Sequence, residues 1–412
     1  MVKIITTYEL KVRLEQLHSL KNAIEKRKQE IMEIEIAGGL TYASSNTDLT
    51  MFGKEVDLCA AEIDRLEGRQ TRDGMMGLCI PYDMPTFLLA FYTFPGFMAG
   101  LKCKIHLPRV MSGLERIWIE ALIEAGIDGM EIQTGISGKE FGQYCVENPD
   151  IRHFAIAGSR QIVNIYSSKI VADHFETSFM FGPTRPKALF LDNADLDIHL
   201  KAIVNNSFFN CGQLCPLSKQ FIATPRNYEN VKEMMIQTVS EMAKPENYGT
   251  SANAVGPIKD GPAFQGAKAT LERFSADSNY KILVGGKVDE KEQVIQPTLV
   301  EASGKIDPAI DYFGPILILD KAQDDDAAVS KVLEDTVHGC FAYIFTNDFI
   351  KAIRYEGVLK PHCNMVRINT DIMSGSFAWP YGGYKDTFTY FKNGQKKHGV
   401  VFLSIELSKE IN

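Results

Sequence analysis

The segment NNSFFNCGQLCPLSKQ holds the chain's one close pair of cysteines, Cys211 and Cys215. A cysteine thiolate adds to a carbonyl carbon when a loop presents it to a cleft. Gly212, Gln213 and Pro216 flank Cys215 and argue for an irregular turn there, not a helix interior. The plain alternative is a pair of buried, reduced thiols. A spacing of four also suits a redox pair or two metal ligands, but no further Cys or His cluster accompanies it, and no metal is expected. A second candidate is Gly158 with Ser159 in FAIAGSRQIV, between a predicted strand and a predicted helix. There a backbone without a β-carbon can approach a pyrophosphate, whose charge the helix N-terminus favours. A simple strand-to-helix turn is the other reading.

These residues need elements to hold them. Residues 8–35 repeat apolar side chains at helical spacing among lysines and glutamates, which predicts one amphipathic helix. A polar turn is expected at SSNTD, then a second helix over roughly 54–67. GLCIPYDMP and TFLLAFYTFPGFMAG read as strand, turn and buried helix. From Lys102 to Ser159 strands and helices alternate, which argues for a parallel sheet covered by helices. The rhythm recurs from QFIATP to NMVRINT, so two α/β layers are expected to join near residue 185. His338 is expected to end a helix, and Asp324 to Asp326 to form a solvated turn.

The 412 residues are 45% hydrophobic and 23% charged, with a formal net charge of −8 and no long basic run. That balance argues against nucleic acid or anionic lipid as a partner and favours small-molecule work. No window reaches the roughly 20 apolar residues of a membrane span, and the start lacks a signal-peptide pattern, so a cytoplasmic location is expected.

FFNCGQLC resembles the cysteine motif of the aldehyde dehydrogenase superfamily, in which the residue after Gln and one spacer is the nucleophile. That position is Cys215. IPYDMP, AGLKCKIHLPR, FAIAGS, ALFLDNADLD, DYFGP and INTDIMSGSFAWPYGGYK resemble further family motifs, in order, over about residues 8–407. The resemblance implies an α/β fold with a Rossmann-type cofactor-binding domain over 1–184, a catalytic domain over 185–375 and a segment over 376–412 returning to the cofactor side. It also implies NADP or NAD as cofactor, and an aldehyde or acyl substrate that forms a thioester on Cys215. Water, coenzyme A or another nucleophile would resolve that thioester.

The same resemblance assigns roles and marks departures. His106 stands where the family has a cofactor-ribose lysine, and Arg109 where many members carry an acidic ribose contact. A guanidinium there could attract a 2′-phosphate. Val163 replaces a second glycine and would narrow the approach to the phosphates. Asp311 and Phe313 match the glutamate and phenylalanine at the nicotinamide ribose and ring. Asp83 replaces the amide that stabilises the oxyanion, and an ionised carboxylate would repel that charge. Only a protonated Asp83 could donate as an amide does. Met180 or Phe181 stands in place of the hydrolytic glutamate, leaving water without a base. Those departures imply an acylating or reductive enzyme, with an inactive scaffold that binds a nucleotide or a protein as the alternative. Phe208, Phe209, Trp379 and Tyr381 imply an apolar mouth. Only EGRQTRDGMM fills the place of the family's long oligomerisation hairpin, and the chain stops at SIELSKEIN, so a monomer or altered dimer is expected rather than a tetramer.

Overall fold

A computed structural model of the protein describes residues 3–171, 174–243, 255–370 and 379–410. Its first sheet has seven strands in the order Gln395–Lys397, Phe388–Lys392, Thr177–Phe181, Ile151–Ala157, Met75–Cys79, Lys102–His106 and Met130–Gln133. The five strands from Thr177–Phe181 to Met130–Gln133 are parallel, and the two late ones add antiparallel at the edge. The second sheet runs Met365–Ile368, Phe341–Phe345, Lys187–Phe190, Gln220–Ala223, Ile316–Lys321, Thr298–Ala302 and Tyr280–Val284. Only Tyr280–Val284 is antiparallel. The predicted alternation is therefore present on both sides of residue 185.

Local sequence accounts for the helices that cover the first sheet. In Leu114–Glu124 the residues Leu114, Ile117, Trp118, Ala121 and Leu122 form one buried stripe at helical spacing. Ser137 and Glu140 make a capping box that starts Gly138–Glu147. Helix Pro85–Met98 buries every side chain except Phe87 and Leu88, and it runs between the sheet and the N-terminal helices. The helix expected over 8–35 is two helices, Thr7–Lys26 and Lys28–Ala37, parted at Arg27. Arg27 leaves helical geometry and binds Ala23 O at 2.9 Å and Glu124 Oε2 at 2.8 Å.

The polar turn expected at SSNTD is instead the interior of helix Tyr42–Leu58. Its polar residues are not solvated: Ser44, Ser45 and Asp48 are fully buried. Asp48 accepts the backbone N–H groups of Thr86 at 3.0 Å and Phe87 at 2.7 Å, and so caps helix Pro85–Met98, whose own N-cap residue supplies no side-chain bond. Glu35 accepts from Ser45 Oγ at 2.6 Å and Thr86 Oγ1 at 2.7 Å. Burial pushes both carboxyls upward, and like charges that close keep a proton in the pair. Asp48→Ala strands two buried N–H groups and is expected to cost about 1–3 kcal/mol in urea unfolding.

Two further expectations are corrected. Asp324 caps helix Asp325–Glu334 through Ala327 N at 2.7 Å, Asp325 is buried and paired with Lys351 at 2.5 Å, and Asp326 bonds Arg354 and Tyr355, so this stretch begins a helix. His338 lies in a short strand beyond that helix, with Nδ1 3.0 Å from Asp335 Oδ2. Asp335 also receives Arg185 and Lys187, each at 2.8 Å, which fastens the start of the second sheet. Among the described residues no helix is long and apolar enough to cross a membrane. Gln70–Thr71 pairs with Ser408–Lys409 in a two-residue ladder, with Ile4 bridged to Gln70 on its other side.

Candidate active site

Three distant stretches meet at Cys215. The loop before it leaves right-handed geometry: Asn210, Cys211 and Gly212 have φ of 49°, 57° and 66°. Such a run is unfavourable for Asn and Cys by roughly 1 kcal/mol each, so contacts must hold it. Asn210 Nδ2 donates to Asp83 O at 2.5 Å, and the Tyr82 hydroxyl donates to Gln213 Oε1, which ties the IPYDMP turn to the thiol loop. Cys211 Sγ donates to Gly256 O at 2.7 Å and lies 3.0 Å from Gly256 N, so this thiol is committed to backbone. A side chain at position 212 would place Cβ 2.5 Å from Gly314 O, so only glycine allows the FGP segment to pass so close.

The buried Lys219 ammonium bridges the same two loops, bonding Gly212 O and, at 3.0 Å, Gly314 O. Burial lowers it to about 7. Sequence reasoning passed over Lys219. Its signal was a lysine four residues past the cysteine at the head of an apolar strand.

Cys215 Sγ lies 3.4 Å from the hydroxyl of Tyr381 in strand Tyr381–Lys385. Burial pushes the thiol up to about 12; the Tyr381 hydrogen bond opposes this and the Asp83 charge adds to it. Asp83 is 7% exposed. Burial, with the nearby charges of Asp48 and Asp260, raises it to about 7 against the pull of its own backbone N–H. The shift favours the protonated carboxyl, the state in which the group can donate.

Phe181 is packed into an aromatic cluster: Tyr92 at 4.6 Å, Phe388 at 5.2 Å and Tyr381 at 5.7 Å, with Phe91 edge-on to Tyr381 at 4.9 Å. The neighbouring Met180 is fully buried on the other face of the sheet, beside Phe391. Of the expected apolar mouth, Phe208 is core, Phe209 packs with Met84 and Leu217, and Trp379 is exposed. Residues 371–378 of the closing loop lie outside the described residues.

The phosphate-side residues are arranged less simply. Gly158 and Ser159 precede helix Arg160–Val171 as expected. Val163 is buried in the core with Phe154 and Tyr166, filling space between helix and sheet. Asp311 lies near the start of that helix: burial raises its carboxyl, the Arg160 backbone and the charges of Arg185 and Arg160 oppose this, and the Arg160 side chain pairs with Asp386 at 2.8 Å. Position 182 must be glycine, because a Cβ would sit 2.2 Å from Asp386 O. His106 is buried, its Nε2 3.1 Å from Ile136 O and its ring stacked on Phe141 at 5.5 Å. One of its ring nitrogens is thereby committed within the protein. Arg109 is exposed in the turn Arg109–Met111, near Glu140, and Phe313 is half-buried.

The family model for the aldehyde dehydrogenase family matches residues 3–403. The NADP-dependent succinate-semialdehyde dehydrogenase GabD of Escherichia coli K12 is 27% identical over 323 residues, which is 76% of this chain and 64% of that protein. The chain thus matches under two thirds of the length of that curated relative. Aldehyde dehydrogenase C of Pseudomonas syringae, solved with NAD+ and octanal, superposes with a TM-score of 0.84 at 19% identity over 97% of this chain and 84% of that one. Glyceraldehyde-3-phosphate dehydrogenase GapN of Methanocaldococcus jannaschii, solved with NADP, gives a TM-score of 0.78 at 20% identity over 97% and 88%. The two solved structures share the fold of two α/β layers described above, and on the family match over residues 3–403 this chain belongs to the aldehyde dehydrogenase family.

Proposed function

We propose that the chain is an oxidoreductase that uses NADP or NAD and joins Cys215 to an aldehyde or acyl carbon, forming a thioester that is passed to coenzyme A or reduced rather than hydrolysed. The observation that carries this reading is Phe181. Phe181 stands in the sequence where a hydrolytic base is expected, and its ring packs with Tyr92 and Tyr381, so this position offers no group to activate water. Coenzyme A, leaving or attacking as a thiol, needs no such base. Asp83 acts at the substrate oxygen in its protonated form. The nicotinamide, when bound, gives or takes the hydride. Gly158 and Ser159 suit its pyrophosphate, Arg109 a 2′-phosphate, and Phe313 the ring. The cradle fits a dinucleotide once the Asp311 carboxyl, which lies near the start of helix Arg160–Val171, makes way for it.

That condition has a measurable consequence. An anion at a helix N-terminus contributes about 1 kcal/mol. Asp311→Ala is therefore expected to tighten NADPH binding about fivefold by calorimetry. If Asp311 instead holds the nicotinamide ribose, the same variant binds more weakly.

The test of the whole reading is nicotinamide reduction by a panel of aldehydes, with and without coenzyme A. Turnover that requires coenzyme A supports it. Full turnover with water alone would remove the non-hydrolytic assignment. The high-lying Cys215 thiol favours a second reading, a member that binds nucleotide without turnover. Its mark is binding of NADPH with no aldehyde-dependent reduction and no protection of Cys215 from iodoacetamide. The two-residue ladder at Gln70–Thr71 supports a monomer or altered dimer, for which a tetramer in sedimentation is the contrary result.

A further inference from the structure

Three groups around Cys215 come from sequence positions where oxygen or carboxylate chemistry is possible, and they differ in what they can give. The Tyr82 hydroxyl is spent on Gln213. Asp83 donates only while protonated, whereas a tyrosine hydroxyl keeps its proton throughout the neutral range. Phe181 has no proton to offer. The Tyr381 hydroxyl, by contrast, stands 3.4 Å from Sγ and can act as donor or acceptor toward it.

Its position is fixed on several sides. Tyr381 heads a strand whose first three residues pair antiparallel with Gly399–Val401. Its ring lies edge-on to Phe91 and tilted against Phe181, which leaves the hydroxyl little freedom to turn elsewhere. The same rings make the surroundings apolar, so a free thiolate and a free oxyanion are both disfavoured there. Addition that never separates charge avoids both.

We infer that Tyr381 is a catalytic proton shuttle, taking the proton of the Cys215 thiol at its hydroxyl oxygen while giving its own to the carbonyl oxygen of the aldehyde. The inference rests on the proposed role of Cys215. In this step the S–H bond breaks and an S–C bond forms from the sulfur electron pair. The C=O π pair becomes an O–H bond to the proton leaving Tyr381, and Tyr381 regains one from sulfur. The product is a neutral hemithioacetal, no oxidant is consumed, and the tyrosine is unchanged. The substrate oxygen, two bonds from sulfur, falls in the neighbourhood of a hydroxyl that already touches sulfur.

The test needs no cofactor. Stopped-flow loss of the conjugated carbonyl absorbance of 4-nitrobenzaldehyde follows addition directly, with Cys215→Ser as the baseline. Tyr381→Phe keeps the ring and is expected to slow addition about 100-fold. Alkylation of Cys215 by iodoacetamide, which delivers no proton to oxygen, is expected to change by only about threefold in the same variant. Wild-type addition should also slow in D2O, and the residual addition in Tyr381→Phe should not. Equal slowing of both reactions would reduce Tyr381 to a positioning residue, and unchanged addition would overturn its role altogether. So would a loss confined to Tyr92→Phe, a tyrosine whose hydroxyl the Cys215 charge also affects. Addition that persists in Cys215→Ser, or is absent from the wild type, defeats the proposed function itself and the shuttle with it.

Discussion

Serine at position 215 is expected to bring aldehyde-dependent nicotinamide reduction down to background, a loss on the order of 10⁴-fold. The substitution removes one polarisable atom from a half-buried site and leaves the loop's contacts alone, so unfolding in urea should move by less than about 1 kcal/mol. Cys211→Ser provides the comparison. That thiol is bound to the Gly256 backbone, so its replacement should keep activity within a few-fold. If activity were lost with Cys211 and kept without Cys215, the nucleophile would have to be reassigned.

Asp83→Asn should change the pH dependence of both activity and stability. The folded carboxyl lies near 7 and the unfolded one at 3.8. Between those values the folded protein holds a proton that the unfolded chain has released. Stability from this group is complete below pH 3.8 and is lost as pH rises toward 7. The difference of about three pK units corresponds to about 4 kcal/mol. Asparagine abolishes the loss, so the variant gains on wild type by up to that amount at pH 8–9 and by little at pH 4. Activity should respond with the same sign. In wild type it falls about tenfold per unit above pH 7 as the carboxylate forms beside the substrate oxygen, while in Asp83→Asn it stays level. Parallel profiles for the two proteins would show that Asp83 does not titrate near the reacting atoms.

Much of the architecture was legible because parallel strands announce themselves as apolar runs separated by helical stripes. QFIATP, FGPILILD and FAYIFTN each contain a strand of the second sheet. Helix Tyr42–Leu58 was not legible, since a search for apolar periodicity treats Ser44, Ser45 and Asp48 as surface when a buried carboxyl network employs them. At the site, the cysteine and the IPYDMP turn could be recognised from their residues. The partners could not, because Tyr381 is 166 positions from Cys215 and Asn210 is 127 from Asp83. Side-chain direction was also hidden. Nothing in the sequence tells that His106 turns toward Ile136 O or that Arg160 pairs with Asp386.

The late pairing of Phe388–Lys392 with Thr177–Phe181 bears on how the molecule is made. As the chain leaves the ribosome, TSFMF waits as an open edge while about 200 further residues emerge, roughly 10–40 s of synthesis. All five of its residues are buried once the hairpin returns. Until then the edge is an apolar template that a second nascent chain could extend. Tyr381 arrives with the same hairpin. A chain released before it would therefore carry both an adhesive edge and a thiol without its hydroxyl, and yield of soluble protein should depend more on the speed of that last stretch than on the earlier strands of the first sheet.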